Sequence, residues 1–272
     1  MKKVNNKVVI ITGASSGIGY ACAREFALNG CRVVLAARSF DLIRKQAEEL
    51  VSCGLVAMPV KTDVSVEGDC KNLIETTVEK YGQIDILINN AGISMRALFN
   101  DVDLDVIKRI IDVNFWGTVY CTKYALPYLI QTKGSVAGIS SIAGYQGLPA
   151  RTGYSASKFA MHGFLEALRV ENINNGLHVL IAAPGFTSSN IRKKALVADG
   201  TTQEKSPREE ESLMYAADVA RHIYRAVKRR KRTIILTSQG KAVVFLKKFA
   251  PGLLDKLVYS HLAKEPDAPF KK

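Results

Sequence analysis

The sequence has 272 residues, 47% hydrophobic and 23% charged, which is long enough to bury a large core and typical of a globular protein. Its formal net charge of +13 favours an anionic partner: a phosphate-bearing cofactor, an anionic lipid surface or a nucleic acid. No apolar run approaches the roughly 18 residues of a membrane span. The five cysteines are scattered without a CxxC pair, which argues against a disulfide framework or a metal site and suits a reducing cytoplasm.

Short β-branched runs alternate along the chain with longer amphipathic stretches. The first apolar run leads directly into a glycine motif, so we interpret it as a strand and not as a signal peptide. The predicted strands are residues 7–12, 31–37, 55–60, 84–88, 135–140, 178–183 and 233–237. The predicted helices are residues 18–29, 42–53, 65–81, 104–130, 154–174 and 215–231. Nearly continuous apolar strands in β–helix–β alternation predict an α/β fold, a doubly wound, mostly parallel seven-stranded sheet with helices on both faces.

Ligands of such sheets bind beyond the carboxyl ends of the strands, and a glycine-rich turn, TGASSGIG, follows the first strand. Gly13 allows a tight turn, Gly17 permits close approach of the backbone, and Gly19 lets the helix pack on the strand. The backbone N–H groups at the start of the helix are expected to bind a pyrophosphate. Besides the three glycines, the predicted contacts from this turn are Ser15, Ser16 and Ile18. The alternative is an ordinary strand–helix turn.

The spacing TGxxxGxG resembles that of the short-chain dehydrogenase/reductase family. The resemblance extends over about residues 7–237 through NNAG at 89–92, Asn114, Ser141, YSASK at 154–158 and PG at 184–185. It implies a Rossmann fold and hydride transfer between a nicotinamide cofactor and a carbonyl carbon. It implies the catalytic residues Asn114, Ser141, Tyr154 and Lys158. It further implies cofactor contacts from Asp63, Val64, Asn90, Ala91, Gly92, Tyr154, Lys158, Pro184, Gly185 and Thr187.

Tyr154 and Lys158 are four residues apart and so share one face of a helix. A nearby cation favours the phenolate, so we expect Lys158 to lower the phenol pKa and make Tyr154 a general acid for reduction or a base for oxidation. Ser141, or its neighbour Ser140, is expected to hydrogen-bond the substrate carbonyl, and the family spacing favours Ser141. By resemblance, Lys158 holds the nicotinamide ribose and Asn114 holds a water that links it to solvent.

The second strand ends in Ala37 and Arg38, which bears on the choice of cofactor. An NAD-preferring enzyme places an acid here for the ribose 2′-hydroxyl, whereas an arginine can pair with a 2′-phosphate. The sequence therefore predicts NADP(H). Asp63 has a second interpretation as a helix cap, because Ser65 and Glu67 follow it.

We predict a single catalytic domain over residues 1–240, with a substrate loop at 186–213 that carries Arg192, Lys193, Lys194 and Lys205. Residues 241–272 form a basic, amphipathic extension, which Pro251 and Gly252 break into two short helices. This extension packs on its own core or on a partner subunit, or it lies on a membrane surface. The phrases TSSNIRKKALVADG and APGLL resemble the branch of the family that contains dehydrogenase/reductase members 7 and 7B, which implies lipid or steroid carbonyls as substrates.

The predicted function is the NADPH-dependent reduction of a hydrophobic or lipid-like ketone, either free in the cytoplasm or at the inner face of a membrane. Alternatives are a 3-oxoacyl-carrier-protein reductase, a hydroxysteroid dehydrogenase, a 3-ketosphinganine reductase and a non-catalytic NADPH sensor or scaffold. By resemblance we expect a homodimer or homotetramer formed through the long helices after strands four and five. The basic run at 225–232 lacks interleaved aromatics, so we expect no nucleic acid and, with scattered histidines and cysteines, no metal.

Overall fold

The computed structural model of the protein describes residues 6–187, 191–204, 213–265 and 267–270. It contains a parallel sheet with the strand order β3-β2-β1-β4-β5-β6-β7. The strands are β1 (Val8–Thr12), β2 (Arg32–Ala37), β3 (Val56–Lys61), β4 (Ile86–Asn89), β5 (Ser135–Ile139), β6 (His178–Ala183) and β7 (Thr233–Ile235). The predicted doubly wound, seven-stranded Rossmann sheet is confirmed.

Helices cover both faces of the sheet. In chain order they are α1 (Gly17–Leu28), α2 (Phe40–Ser52), α3 (Glu67–Tyr81), α4 (Leu104–Ile111), α5 (Gly117–Gln131), α6 (Thr152–Glu171), α7 (Ala216–Lys228), α8 (Ser238–Phe249) and α9 (Pro251–Leu262). Side chains alternate along each strand, so Val9 and Ile11 of β1 join the core under α1, α2 and α7, while Ile10 joins the core under α3, α5 and α6. Both faces of the sheet are therefore buried, which explains why the strands are apolar at nearly every position.

The predicted helix at 104–130 is interrupted. A π-helical turn, Asp112–Trp116, separates α4 from α5 and contains the buried Asn114. The Asn114 amide binds Ile93 on both sides, accepting from its N–H at 2.8 Å and donating to its carbonyl at 3.0 Å. Such turns occur mostly at functional sites. The apolar periodicity of the sequence continues through it, so the pattern predicted one helix.

The chain changes winding direction between β1 and β4, and this is where the two central glycine- and asparagine-rich loops meet. The Thr12 hydroxyl at the end of β1 accepts from the N–H groups of Asn90 and Ala91, both at 3.0 Å. The Asn90 amide donates in return to the carbonyls of Thr12 at 2.9 Å and Gly13 at 3.2 Å. These bonds fix the two walls of a crevice at the carboxyl edge of the sheet, where ligands of this architecture bind.

The C-terminal extension forms two helices, as predicted. Pro251 is the first residue of α9, where its missing N–H costs no helical hydrogen bond, so α8 ends just before it. Leu254 and Leu262 are buried, which places one side of α9 against the rest of the chain. In the part of the chain that the structure describes, no helix combines the length and apolar character needed to cross a bilayer.

Candidate active site

A cavity of about 330 Å³ opens at the carboxyl ends of β1, β4, β5 and β6. Most of the predicted site residues line it: Gly13, Ser15, Ser16, Gly17, Ile18, Arg38, Asp63, Val64, Asn90, Ala91, Gly92, Ser141, Tyr154, Lys158, Pro184, Gly185 and Thr187. Two predicted residues, Gly19 and Asn114, are not among the described residues of the lining and lie behind it. Residues 188–190 and 205–212 of the predicted substrate loop, including Lys205, lie outside the described residues.

The glycine turn packs closely against neighbouring backbone at the edge of the cavity. Gly13 has φ +64°, and a Cβ there would stand 2.8 Å from the Cα of Ala91. A Cβ on Gly19 would stand 2.3 Å from the Gly13 carbonyl oxygen, so Gly19 lets α1 pack against the turn without contacting the ligand itself. The N-terminus of α1 faces the cavity at Ser16 and Gly17. This arrangement fits the pyrophosphate of a dinucleotide.

The three predicted groups for proton transfer meet on one wall. Ser141 follows β5 and caps a 3₁₀ turn, accepting from the N–H of Ala143 at 3.2 Å. Its hydroxyl lies beside the phenol of Tyr154, close enough to lower the pKa of that phenol, and Tyr154 is in the first turn of α6. Lys158 is one turn further along, and its Nζ lies 5.8 Å from the centroid of the Tyr154 ring. Ser141 and not Ser140 thus faces the tyrosine, because the Ser140 hydroxyl is bonded at 2.6 Å to His162.

The electrostatics of this wall differ from the sequence expectation. Desolvation raises the pKa of the Tyr154 phenol above its usual value, and the neighbouring Ser141 hydroxyl and the charge of Arg151 lower it only in part. Burial also lowers the pKa of Lys158 to about 8, and its ammonium donates to the Ile139 carbonyl at 2.9 Å. The expected lowering of the phenol pKa by Lys158 is therefore wrong for the protein without cofactor. Desolvation outweighs any attraction between the two groups because it disfavours both the phenolate of Tyr154 and the ammonium of Lys158.

Asn114 lies behind the cavity wall, where its side chain is hydrogen-bonded to other protein groups. Its side chain donates to the Ser157 hydroxyl at 2.9 Å in addition to its bonds with Ile93. A Cβ on Gly92 would stand 3.2 Å from the Asn114 amide oxygen and 3.7 Å from the Lys158 ammonium. Asn114 therefore reaches the neighbourhood of Lys158, while its own amide is bound to protein groups.

At the far end of the cavity, Arg38 presents an exposed guanidinium. Its side chain is 69% exposed, and its Nη1 lies 3.9 Å from a carboxylate oxygen of Asp63. The other Asp63 oxygen accepts from the N–H and hydroxyl of Ser65, at 3.0 and 2.7 Å. Asp63 lines the cavity and closes the turn before α3, but its interpretation as a helix cap is wrong, because Val66 occupies the cap position of α3. Arg38 remains placed to meet an anionic group of a ligand.

The structure adds residues that the sequence motifs did not single out. Arg151, Leu148 and Ile191 line the cavity together with Tyr154. Arg151 stands three residues before Tyr154, but nothing in the motif marks it as a cavity residue, and only the fold brings Ile191 to the site. Across the described ranges, no group of three His, Cys, Asp or Glu side chains is placed to hold a metal ion.

Comparison with known proteins identifies the family. The model of the short chain dehydrogenase family matches residues 7–199. Dehydrogenase/reductase SDR family member 7B of Mus musculus is 33% identical over 268 residues, covering 96% of this chain and 83% of the mouse protein. The 11-beta-hydroxysteroid dehydrogenase-like 4A protein of Arabidopsis thaliana is 35% identical over 255 residues, covering 93% of this chain and 84% of the plant protein. The predicted resemblance to the member 7 and 7B branch is confirmed.

Solved structures agree on the fold. A short-chain dehydrogenase/reductase from Burkholderia phymatum, in complex with NAD, superposes with a TM-score of 0.83 at 23% identity, covering 93% of this chain and 96% of that one. An alcohol dehydrogenase from Thermococcus sibiricus, complexed with 5-hydroxy-NADP, gives a TM-score of 0.76 at 24% identity, covering 85% and 96%. With its matched family model, its relatives and its crevice, the chain belongs to the short-chain dehydrogenase/reductase family of oxidoreductases.

Proposed function

We propose that this protein is an NADPH-dependent reductase that converts the carbonyl of a hydrophobic or lipid-like ketone into an alcohol. The observation that carries the proposal is the placement of the Ser141 hydroxyl beside the Tyr154 phenol, with Lys158 one turn along the same helix, on the wall of the cavity at the carboxyl edge of the sheet. A phenol whose pKa is raised stays protonated at neutral pH and so suits the role of proton donor in reduction.

The proposed reaction divides the work among four side chains. The Ser141 hydroxyl hydrogen-bonds the substrate carbonyl oxygen and stabilises the charge that develops there. NADPH, when bound in the crevice, supplies the hydride that adds to the carbonyl carbon. Tyr154 donates its phenolic proton to the same oxygen, which completes the alcohol. The Lys158 ammonium and the Asn114 amide both lie close to Gly92, and we assign to them the path by which the phenolate regains a proton.

The direct test replaces Tyr154 by Phe. We expect NADPH-dependent turnover to be lost while NADPH still binds, because the hydroxyl is removed and the ring still fills its place. Tyr215→Phe is the matched control, since Tyr215 is 67% exposed and is not among the described cavity residues. Stopped-flow NADPH oxidation measures turnover, and NADPH fluorescence measures binding. Turnover retained by Tyr154→Phe would remove the proposed proton donor, and NADPH binding without reduction of any carbonyl would favour the sensor or scaffold.

The apolar lining near Tyr154 supports a hydrophobic substrate. Ile93, Leu148 and Ile191 line the same cavity as Tyr154. The Arabidopsis relative is named for its likeness to hydroxysteroid dehydrogenases, so a steroid ketone is the main alternative. A panel of steroid ketones, long-chain ketones, 3-ketosphinganine and 3-oxoacyl carrier-protein thioesters separates these classes by kcat/KM. Preference for the carrier-protein thioester would contradict the lipid-like ketone.

We further propose that the protein works in the cytoplasm as a homodimer or homotetramer and touches membranes through its extension. Trp116 and Phe159 are 41% and 43% exposed on the π turn and on α6, where a second subunit would cover them. Phe245 and Phe249 are 63% and 71% exposed on α8, next to Lys248. Apolar side chains with flanking lysines suit an anionic lipid surface.

A further inference from the structure

The segment between the two proposed reacting hydroxyls, residues 142–151, is held by the C-terminal extension. Ser141 stands directly before this segment and Tyr154 shortly after it. Gln146 receives a hydrogen bond from Lys247 of α8 at 2.9 Å and donates one to Asp255 of α9 at 2.9 Å. Packing of α8 is close here, since a Cβ on Gly240 would stand 2.5 Å from the Ile142 side chain. The extension thus contacts the part of the chain that sets the distance between Ser141 and Tyr154.

A second contact lies at the other end of the segment. Arg151 precedes the first residue of α6, and its Nη2 donates to the Glu265 carboxylate at 2.9 Å. The same carboxylate oxygen lies 3.9 Å from the guanidinium of Arg96. Only 5% of the Glu265 side chain and 12% of each arginine side chain is exposed, so water screens this cluster weakly. One carboxylate near the end of the chain therefore binds two arginines brought in from distant segments.

Arg151 connects this cluster to the proposed chemistry. It lines the cavity with Tyr154, and its positive charge lowers the pKa of the phenol. The groups that face the phenol among the described residues are Arg151, the Ser141 hydroxyl and, across the ring, the Lys158 ammonium. Movement of Arg151 away from this wall would remove one of the two effects that oppose desolvation of the phenolate.

We propose that Glu265 is a positioning residue for the active site: it fixes Arg151 beside Tyr154, so the C-terminal extension sets the pH range in which the tyrosine donates its proton. The inference rests on the proposed reductase function. It goes beyond that function because it makes the extension a part of the active-site wall.

The test compares Glu265→Gln with Arg151→Gln, their double variant and Asp267→Asn. The last is the matched control, since it removes the same charge from an exposed residue of the same tail. One readout is the pH dependence of kcat/KM for ketone reduction at saturating NADPH. The other is the amide hydrogen exchange of a peptide covering 145–153 in the protein without cofactor, which needs no turnover.

Loss of Arg151's charge from the wall raises the phenol pKa, so the decline of reduction at alkaline pH should move to higher pH. We expect an upward shift of about 0.5 pH unit or more in Glu265→Gln and in Arg151→Gln, and no further shift in the double variant. Hydrogen exchange in 145–153 should accelerate in Glu265→Gln and not in Asp267→Asn. A variant that was only less stable would lose activity without moving the pH profile.

Three results would overturn the inference: an unchanged pH profile in Glu265→Gln, a downward shift, or an equal shift in Asp267→Asn. Failure of the proposed function looks different, because the wild-type protein would then reduce no ketone. In that case the exchange experiment still decides whether Glu265 holds the 145–153 segment.

Discussion

Arg38 is the residue on which the proposed preference for NADPH depends. Its guanidinium is exposed at the cavity, and the neighbouring Ala37 offers no carboxylate to a ribose 2′-hydroxyl. We expect Arg38→Ala to weaken NADPH binding by about 10- to 100-fold, the range for a lost hydrogen bond to a charged group, and to leave NADH binding unchanged. Fluorescence titration with each dinucleotide measures both affinities.

Arg44→Ala is the control for Arg38→Ala. It removes another exposed arginine, which pairs with Asp41 on α2, away from the described cavity lining. Equal losses of NADPH affinity in the two variants would show that bulk positive charge is responsible. Unchanged NADPH and NADH affinities in Arg38→Ala would mean that the 2′-phosphate lies elsewhere.

His162 lies under the active-site wall and should make stability depend on pH. Its Nε2 is 2.6 Å from the Ser140 hydroxyl, and its ring meets that of Tyr145 at a centroid distance of 4.6 Å. Burial, and then the charge of Lys158, lower the pKa of His162 to about 4. As pH falls from about 6.5 toward 4, the unfolded chain takes up a proton that the folded protein refuses, so the folded state loses stability in this window.

The variant His162→Gln keeps a hydrogen-bonding side chain and removes this titration. Between pH 7 and 5 we expect the free energy of unfolding of the wild type to fall by about 2 kcal/mol more than that of the variant. Urea unfolding at the two pH values measures it. The pKa of His178 is also lowered by burial, so His178→Gln should likewise reduce the loss of stability as the pH falls. An equal pH dependence in wild type and His162→Gln would show that His162 accepts a proton in the folded protein.

At the scale of elements, the packing of α1 on the glycine turn is the tightest feature of the cofactor crevice. Gly19→Ala would place a methyl group 2.3 Å from the Gly13 carbonyl oxygen, so α1 or the turn must move. We expect a loss of stability of about 1–3 kcal/mol and a marked loss of dinucleotide binding. Thermal unfolding and NADPH titration check both effects.

Gly68→Ala is the matched control for Gly19→Ala. Gly68 lies in the first turn of α3, and a Cβ there meets no atom of the described residues within 4 Å. Its stability should be unchanged or slightly higher, because alanine loses less conformational entropy than glycine in a helix. If Gly19→Ala bound dinucleotide as well as Gly68→Ala does, the turn would not be the pyrophosphate site.

The elements that sequence predicts well are those whose burial is uniform. Each central strand is covered on both faces, so a run such as residues 178–183 is marked by composition alone, and His178–Ala183 has the predicted bounds. The π turn at Asp112–Trp116 was missed because it inserts one turn of different hydrogen bonding without changing which side faces the core. The hydrogen bonds of the Asn114 side-chain amide to the backbone of Ile93 depend on tertiary contact, so local periodicity carries no trace of them.

At the scale of the whole molecule, sequence motifs identified residues that line the site. They did not predict how burial and neighbouring charges shift the pKa values of those residues. The spacing of Tyr154 and Lys158 places them on one helix, whereas their pKa values depend on how deeply the whole fold buries that helix. The pairing of Arg151 with Glu265 joins residues 114 positions apart. Neither effect has a signature in the order of residues, since both arise from the packing of segments that are distant in the chain.

Phe159 and Phe245 are exposed aromatic residues on two different surfaces, and we expect their replacement by Glu to affect the oligomer differently. Phe159 on α6 belongs to the helices through which we propose that subunits associate, and Phe245 on α8 belongs to the proposed membrane surface. A buried charge opposite an apolar partner is costly, so Phe159→Glu should convert the oligomer to monomer. Light scattering coupled to size-exclusion chromatography measures the mass, and Phe245→Glu should leave it unchanged. An oligomer that survives Phe159→Glu would place the interface elsewhere.

Phe245→Glu and Phe159→Glu also test the proposed membrane contact. Here Phe245→Glu is the test variant and Phe159→Glu is its control. Besides Phe245 and Phe249, the residues Leu253, Leu257 and Tyr259 are about half exposed on α9, so the two helices present one apolar surface beside Lys248 and Lys256. Binding of such a surface grows with buried apolar area and with anionic lipid. We expect Phe245→Glu to reduce sedimentation with vesicles that contain phosphatidylserine, and Phe159→Glu to have a smaller effect. Sedimentation with neither neutral nor anionic vesicles would assign the apolar side chains to protein contact instead, and equal sedimentation with both would remove the proposed role of the lysines.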